Sequence, residues 1–332
     1  MRVLVTGAAG FIGFCLARRL LARGDEVIGI DNLNDYYQVS LKLDRVAELR
    51  REGGNCFTFH QLDFSDMAAL TQALSATTFD RIAHLGAQAG VRYSLENPQA
   101  YVASNLAGHV NLLELARHRA VAHMVYASSS SVYGGNTKLP FAVEDRTDHP
   151  ISLYAATKRA DELMSETYAH LFGLPLTGLR FFTVYGPWGR PDMMLWNFTQ
   201  RILAGEPIPV FNHGDLSRDF TYIDDIVAGV VAALDAAPAN DDTIKAGESA
   251  KSHALYNIGN SASEPLMKVV GLLEQACGRE AKIEYLPMQP GDVPKTCADI
   301  SAIARDLGYA PTTSIELGVP AFVDWYRAYH QV

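Results

Sequence analysis

Tyr154 and Lys158 stand four residues apart in a stretch, Tyr154–Leu171, whose pattern predicts a helix. Residues at this spacing share one helix face. A free tyrosine has a pKa near 10, and a neighbouring ammonium group stabilises its phenolate form. The pair is therefore suited to act as a general base near neutral pH. The alternative is a partly buried tyrosine that only packs on its helix.

Four consecutive serines, Ser128–Ser131, follow an apolar stretch upstream of this pair. A hydroxyl group at the end of a strand can donate a hydrogen bond to a reacting oxygen. Serine runs are also common in turns, so the alternative is a polar loop. The presence of Tyr154 favours a catalytic role for at least one of these serines.

Three glycines, Gly7, Gly10 and Gly13, lie between an apolar stretch and a helical pattern. Glycine lets backbone N–H groups approach a pyrophosphate, and the N-terminus of the following helix favours its negative charge. The spacing is GxxGxxG, so a tight turn that only packs a helix on a sheet is the alternative. The strand–turn–helix context favours a dinucleotide site.

Asp31 ends the second predicted strand, 18 residues after Gly13. A carboxylate there accepts hydrogen bonds from the adenosine ribose and repels the 2′-phosphate of NADP. The next residues, Asn32 to Asp35, contain no Arg or Lys to bind that phosphate, so we expect NAD. Asp63 and Phe64 follow the third predicted strand and could flank the adenine.

The elements that must position these residues alternate between strands and helices over the first 180 residues. The predicted strands are Arg2–Thr6, Glu26–Asp31, Cys56–Gln61, Arg81–Leu85, Ala122–Ala127 and Leu176–Phe182. The predicted helices are Phe11–Arg23, Leu41–Arg51, Met67–Leu74, Gln99–Arg117 and Tyr154–Leu171. Right-handed βαβ units of this kind form an α/β fold with a doubly wound parallel Rossmann sheet.

The alternation fades after Gly186, where prolines interrupt the chain. Helical patterns return at Pro265–Cys277, Ile300–Asp306 and Ile315–Tyr329, and 236–253 is predicted to be a surface loop. We therefore expect a Rossmann domain over residues 1–182 and a smaller mixed α/β substrate domain over 183–332. Part of about 211–258 is expected to return to the first domain.

Composition limits the class of protein. The 332 residues carry a net charge of −9 and are 48% hydrophobic, which suits a folded protein of about two domains and argues against nucleic acid or an anionic membrane as partner. The four cysteines, at 15, 56, 277 and 297, contain no CxxC pair, so no metal site is expected. Arg18 and Arg19 occupy the place of a signal-peptide cleavage site. We therefore expect a cytoplasmic location.

Four stretches carry a resemblance to a known family: Asp31–Tyr37, Ala87–Ser94, Ser128–Gly134 and Arg180–Asp192. With them, nearly the whole chain resembles the extended short-chain dehydrogenase/reductases, specifically the NAD-dependent nucleotide-sugar epimerases. Within these it is most similar to the UDP-glucuronate 4-epimerases. The resemblance implies reversible inversion at C4 of UDP-glucuronate through a 4-keto sugar, with NAD tightly bound. It also implies a homodimer formed through Gln99–Arg117 and Tyr154–Leu171.

The resemblance assigns roles to individual residues. Tyr154 and Lys158 match the family's base and its helper, and Ser129 matches its catalytic Ser/Thr. The implied cofactor contacts are Gly7, Gly10, Phe11, Ile12, Gly13, Asp31, Asn32, Asp63, Phe64, Leu85, Ala87, Gln88, Tyr154 and Lys158. The implied substrate contacts are Arg92, Ser129, Ser130, Thr183, Arg190, Val210, Phe211, Arg218, Gln289 and Asp292.

Within that set, Arg218 matches a diphosphate contact, and Gln289 and Asp292 match the place where the uridine end is held. Val210 and Phe211 are expected near the uracil. Thr183 and Arg190 match the contacts to the sugar carboxylate that separate uronate epimerases from neutral-sugar ones.

Four alternatives share part of this pattern. A 4,6-dehydratase or a UDP-glucuronate decarboxylase needs further acid/base residues just after the catalytic hydroxyl, where this chain has Ser130 and Ser131. A 4-epimerase of UDP-glucose or UDP-N-acetylglucosamine needs no carboxylate contact. A non-enzymatic NAD-binding sensor would not need Tyr154, Lys158 and the serines together.

Overall fold

The computed structural model describes residues 1–289 and 291–332. The strands in this part of the chain are β1 (Arg2–Thr6), β2 (Glu26–Asp31), β3 (Phe57–Gln61), β4 (Arg81–His84), β5 (His123–Ser129), β6 (Leu176–Phe181), β7 (Thr183–Tyr185), β8 (Pro207–Phe211), β9 (Ser217–Tyr222), β10 (His253–Ile258), β11 (Ser263–Pro265) and β12 (Lys282–Leu286).

The helices are α1 (Phe11–Arg23), α2 (Val39–Gly53), α3 (Met67–Ala73), α4 (Tyr93–Glu96), α5 (Pro98–Tyr101), α6 (Gly108–His118), α7 (Leu153–Phe172), α8 (Met194–Ala204), α9 (Ile223–Asp235), α10 (Leu266–Cys277), α11 (Ser301–Leu307) and α12 (Ile315–His330). Across residues 1–289 and 291–332, no helix is both long and apolar enough to span a membrane.

A seven-stranded parallel sheet forms the centre of the molecule, in the order β10-β6-β5-β4-β1-β2-β3. The predicted α/β class with a doubly wound sheet is therefore confirmed. The strand order reverses between β1 and β4. Ligands of such sheets bind at this reversal, outside the carboxyl ends of the strands. The glycine turn after β1 and the residues after β4 meet at this place.

The second half of the chain contributes to more than one layer. Strand β10 pairs with β6 in the central sheet, and α9 packs against α1 in the same core. Strands β8 and β12 form a parallel pair, whereas β11, β9 and β7 form a small mixed sheet. Helices α8, α10 and α12 surround a separate apolar core beside these small sheets.

Two helices of the second half, α8 and α9, were not predicted from the sequence. The predicted helix Gln99–Arg117 differs from expectation in another way. It is divided into α5, a π-helical segment Val102–Ala107, and α6. The π segment turns buried Asn105 inward, where it accepts a hydrogen bond from the Gln88 N–H and donates one to the Gln88 carbonyl. Asn105 also donates to the Thr157 hydroxyl on α7. The irregular turn therefore ties the strand-end residue Gln88 to the helix that carries Tyr154.

Candidate active site

A cleft opens at the carboxyl ends of β1 and β4, and the glycine turn forms its floor. Gly7 has a φ of +71°, which favours glycine. A Cβ added to Gly13 would lie only 2.1 Å from the Gly7 carbonyl oxygen, so α1 can approach the turn only because residue 13 is glycine. The N-terminus of α1 consequently faces the cleft, in the arrangement that binds a pyrophosphate.

The structure places the predicted cofactor residues around this cleft, with the exception of Asp63. The residues that line it are Gly7, Gly10, Phe11, Ile12, Gly13, Asp31, Asn32, Phe64, Leu85, Ala87, Gln88, Tyr154 and Lys158. Asp63 contacts a residue that lines the cleft: its carboxylate accepts a hydrogen bond of 2.9 Å from the side-chain amide of Asn32. Gln88 is buried, and its Nε2 has no hydrogen-bond partner among the described residues. This donor set and the unused amide suit a dinucleotide.

Asp31 is buried at the β2 side of the cleft. Its carboxylate accepts hydrogen bonds from the N–H groups of Ala9, at 3.2 Å, and Leu33, at 2.9 Å. Burial raises the pKa of Asp31, and the Lys42 ammonium acts in the opposite direction. Two backbone donors fill only part of a carboxylate's acceptor capacity, so lone pairs remain for a ribose hydroxyl.

Lys42 is a cation of this site that the sequence reading missed. It comes from α2, lines the cleft, and donates to the carbonyl and the side-chain oxygen of Asn34, at 2.7 and 2.8 Å. The residues directly after Asp31 contain no cation, but the fold supplies one from the next helix. Because Asn34 already binds the ammonium, this arrangement remains consistent with NAD.

Arg45, one turn further along α2, was also missed. Its buried guanidinium donates to the carbonyls of Ala9, Trp188 and Gly189, at 2.8, 2.6 and 3.0 Å, and to the Tyr37 hydroxyl. These bonds join the glycine turn to the loop that carries Arg190. A charged residue in a helical pattern gives no signal that it is buried, so only the structure reveals this connection.

Tyr154 and Lys158 project into the cleft from α7. The helix begins at the Ser152 side chain, which accepts a hydrogen bond from the Ala155 N–H and so fixes the first turn. The ring of Tyr154 packs edge-on against Tyr101, with 6.0 Å between centroids. Lys158 is buried, and its Nζ lies 3.0 Å from Asp161 Oδ2.

The structure distinguishes the serines at the end of β5. Ser128 donates to Glu162 at 2.6 Å, and Glu162 in turn accepts two hydrogen bonds from buried Arg180. Ser128 and Ser129 both line the cleft, but the Ser129 hydroxyl accepts a bond of 3.2 Å from the Ser131 N–H, which leaves its own proton for a ligand. Ser130 follows in a short 3₁₀ turn. Ser129 is therefore the hydroxyl best placed to donate into the cleft.

Separate single substitutions test this distinction. Ser129→Ala should lower kcat by about 10²-fold, the usual loss when a donor to a reacting oxygen is removed. Ser128→Ala should instead lower the free energy of unfolding by about 1.5–3 kcal/mol, because it removes one hydrogen bond to a charged group. Steady-state kinetics and urea unfolding of both variants separate the two roles. The opposite pattern would move the catalytic hydroxyl to Ser128.

The predicted substrate residues occupy two places. Ser129 and Arg190 line the cleft, and Thr183 lines a smaller adjoining pocket beside Arg190. A second group lies further out: Arg92 Nη2 is 3.3 Å from Asp292 Oδ2, and the Arg92 guanidinium lies 4.9 Å from the centre of the Phe211 ring.

Two more residues of the predicted substrate set, Arg218 and Gln289, lie beside this outer group, whereas Ser130 stays in the turn after β5. Arg218 donates to the carbonyls of Ser217 and Pro294. Burial lowers the pKa of Arg218, whereas Asp292 acts to raise it. The Gln289 carbonyl accepts from the Asp292 N–H at 3.3 Å, and Pro290, between them, lies outside the described residues. Val210 is separated from the group because it is completely buried in the core around α8 and α10.

Arg190 has a carboxylate partner within the chain. Its Nε and Nη2 donate to the two oxygens of Asp192, at 2.9 and 2.5 Å, and Tyr36 donates to the same carboxylate at 3.2 Å. Such a two-pronged pair is the geometry by which arginine recognises carboxylates. Sequence reasoning missed Asp192 in this role, although it stands only two residues from Arg190.

The chain is similar to known proteins over nearly its whole length. A family model described as GDP-mannose 4,6 dehydratase matches residues 4–322. The chain is 50% identical over 333 residues to UDP-glucuronate 4-epimerase 4 of Arabidopsis thaliana, covering 99% of this chain and 76% of that protein. It is 48% identical over 332 residues to a probable UDP-glucuronate 4-epimerase of Rhizobium meliloti, covering 98% and 97% of the two chains.

A solved structure of a UDP-glucuronic acid 4-epimerase is also similar to this chain. The crystal structure of UDP-glucuronic acid 4-epimerase from Bacillus cereus, in complex with UDP-glucuronic acid and NAD, matches with a TM-score of 0.87 at 34% identity, covering 99% of this chain and 100% of that one. The Rossmann sheet and the tyrosine–lysine pair in its cleft define an extended short-chain dehydrogenase/reductase. The chain belongs to the nucleotide-sugar epimerase family of that class, and the predicted resemblance to UDP-glucuronate 4-epimerases is confirmed.

Proposed function

We propose that this protein is an NAD-dependent 4-epimerase that interconverts UDP-glucuronate and UDP-galacturonate. The observation that carries the proposal is the convergence of Ser129, Tyr154 and Lys158 on a cleft floored by the glycine turn. Relatives named as UDP-glucuronate 4-epimerases match 98–99% of the chain. The B. cereus enzyme of that name is solved with NAD and UDP-glucuronic acid bound.

The reaction follows from what these side chains can do. When bound, NAD supplies the acceptor, and later the donor, of the hydride at C4. Tyr154 accepts the proton of the 4-hydroxyl group as a phenolate, and the Lys158 ammonium stabilises this phenolate form. Ser129 donates a hydrogen bond to the same sugar oxygen. After the 4-keto sugar turns its other face to the nicotinamide, Tyr154 returns the proton and completes the inversion.

The acids of the cleft favour epimerisation over the elimination of water. Elimination of water at C5–C6 and decarboxylation both follow the same first oxidation, and elimination requires an additional acid/base group near the sugar. Asp31 is the only carboxylate among the described residues that line the cleft, and it lies at the adenosine end. Ser130 and Ser131 are poor acids and bases at neutral pH. The chain therefore lacks that additional group where a dehydratase needs it.

One incubation tests the function. The purified protein is mixed with UDP-glucuronate, without added NAD, and the nucleotide sugars are resolved by NMR. We expect UDP-galacturonate to accumulate to an equilibrium mixture. A UDP-pentose as main product would indicate a decarboxylase. Conversion of UDP-glucose or UDP-N-acetylglucosamine, but not of UDP-glucuronate, would indicate a neutral-sugar epimerase.

A homodimer in the cytoplasm is part of the proposal. Five exposed apolar side chains lie on α4, the π segment and α7, namely Leu95, Val102, Leu163, Leu171 and Phe172. Such a surface is typical of a protein–protein interface. The cysteines are free, as expected of a reducing compartment. Light scattering at micromolar concentration should give twice the chain mass, and a monomer would contradict the dimer.

A further inference from the structure

Three chemically active side chains share one face of α7. Tyr154, Lys158 and Asp161 stand at positions i, i+4 and i+7, so they follow one another along the helix. Lys158 Nζ is 3.0 Å from Asp161 Oδ2, and the two side chains are only 3% and 1% exposed. The reaction described above uses Tyr154 and Lys158 but assigns nothing to Asp161.

The environment of Asp161 is unusual for a residue that only stabilises the fold. Its Oδ1 is buried and has no hydrogen-bond partner among the described residues. An unsatisfied oxygen on a buried carboxylate costs free energy, and buried ion pairs contribute little net stability. Stability alone therefore does not account for a carboxylate at this position.

Burial raises the pKa of Asp161 to about 6, although Lys158 acts in the opposite direction, so Asp161 is ionised at neutral pH and loses its charge only below about pH 6. The other titratable groups around the pair keep a constant charge near neutral pH. Burial lowers the pKa of His84 to about 3 and that of His109 well below its usual range, so both rings are neutral. Burial raises the pKa of the Tyr126 phenol well above 10. Burial also acts to raise the pKa of Glu162, but the Arg180 guanidinium outweighs it and keeps Glu162 ionised.

We infer that Asp161 is a positioning residue that sets how strongly Lys158 stabilises the phenolate of Tyr154. This inference rests on the proposed function, in which Tyr154 is the base and Lys158 its helper. A carboxylate in contact with the ammonium makes the pair nearly neutral, so the pair stabilises the Tyr154 phenolate less than an isolated lysine would. This suits a group that must accept a proton and return it within one turnover.

Asp161→Asn removes the charge of residue 161 and keeps its contact with Lys158. The amide oxygen can still accept a hydrogen bond from Lys158, but the negative charge is removed. Seven residues of helix span about 10 Å, and a unit charge at that distance changes a pKa by about one pH unit at an effective dielectric constant of about 20. The direction of the change follows from the charges: without the carboxylate, the Lys158 ammonium stabilises the Tyr154 phenolate more strongly. The acidic limb of kcat/KM for UDP-glucuronate should therefore move to lower pH by about one unit.

A matched variant controls for loss of stability. Asp225 is also buried and accepts hydrogen bonds from the N–H groups of Thr312 and Thr313, but it lies on α9 and does not line the cleft. Asp225→Asn should lower the unfolding temperature without moving the limb. Asp161→Ser, a second neutral variant, should move the limb in the same direction as Asp161→Asn.

The outcomes separate this inference from the function on which it rests. An acidic limb at the wild-type pH in a folded Asp161→Asn or Asp161→Ser protein would overturn the inference. Failure of both neutral variants to fold would assign Asp161 a structural role and overturn it as well. Near-normal turnover in Tyr154→Phe would instead remove the proposed function itself, whatever the Asp161 variants show.

Discussion

Tyr154→Phe is expected to slow the epimerisation of UDP-glucuronate by about 10²–10⁴-fold, the usual contribution of a general acid–base group. The phenyl ring keeps the edge-on contact with Tyr101 but cannot accept the proton of the 4-hydroxyl group. The loss should therefore appear in kcat, with little change in unfolding temperature. Initial rates by NMR or coupled chromatography, together with thermal unfolding, measure both quantities.

Tyr168→Phe is the matched control for this substitution. Tyr168 lies on the same helix, and its hydroxyl donates to Glu114 at 2.6 Å, away from the cleft. Removing that hydroxyl should leave turnover within about twofold of the wild-type rate, since surface contacts of this kind contribute little to stability. Equal rates in the Tyr154 and Tyr168 variants would contradict the assignment of Tyr154 as the base.

The sequence predicted the elements of the first half well because each has a local signal, whereas α8, α9 and the strands after β6 were not predicted. The strands of the central sheet are short apolar runs bounded by turn residues, and α1 and α7 have apolar residues at helical spacing. The π segment escaped prediction for a physical reason. It is set by the contacts of Asn105 with Gln88 and Thr157, which are 17 and 52 residues away in sequence. No local pattern encodes such contacts.

The same limit applies to the site. The glycines, Tyr154 and Lys158 could be found because their chemistry requires fixed spacings along the chain. Arg45 could not be found, because its role depends on carbonyl groups of the Trp188 loop, more than 140 residues away. The family resemblance implied that both Val210 and Phe211 lie near the uracil. Alternate residues of a strand point to opposite faces, however, and Val210 points into the core.

If Arg190 is the predicted contact to the sugar carboxylate, its bonds to Asp192 limit how that contact can form. Two N–H groups of the guanidinium already bind Asp192, so a substrate carboxylate must use the remaining N–H groups or displace Asp192. In that case Asp192 competes with the sugar carboxylate while it holds Arg190 in place against Tyr36. In Asp192→Asn this competition is removed. UDP-glucuronate should bind at least as tightly to that variant, and UDP-glucose should bind unchanged.

Arg190→Ala should weaken the binding of UDP-glucuronate by about 2–5 kcal/mol, the usual loss when one partner of a buried charge pair is removed. UDP-glucose has no carboxylate, so its affinity should change little; calorimetry on both nucleotides makes the comparison.

A 4-keto uronate is a β-keto acid that loses CO2 when its C–CO2 bond aligns with the carbonyl π system, and a two-pronged arginine contact restrains that alignment. Mass spectrometry should therefore detect a UDP-pentose by-product in Arg190→Ala. Equal, small effects on both nucleotides, with no pentose, would transfer the carboxylate contact to Thr183, Arg92 or the serine loop.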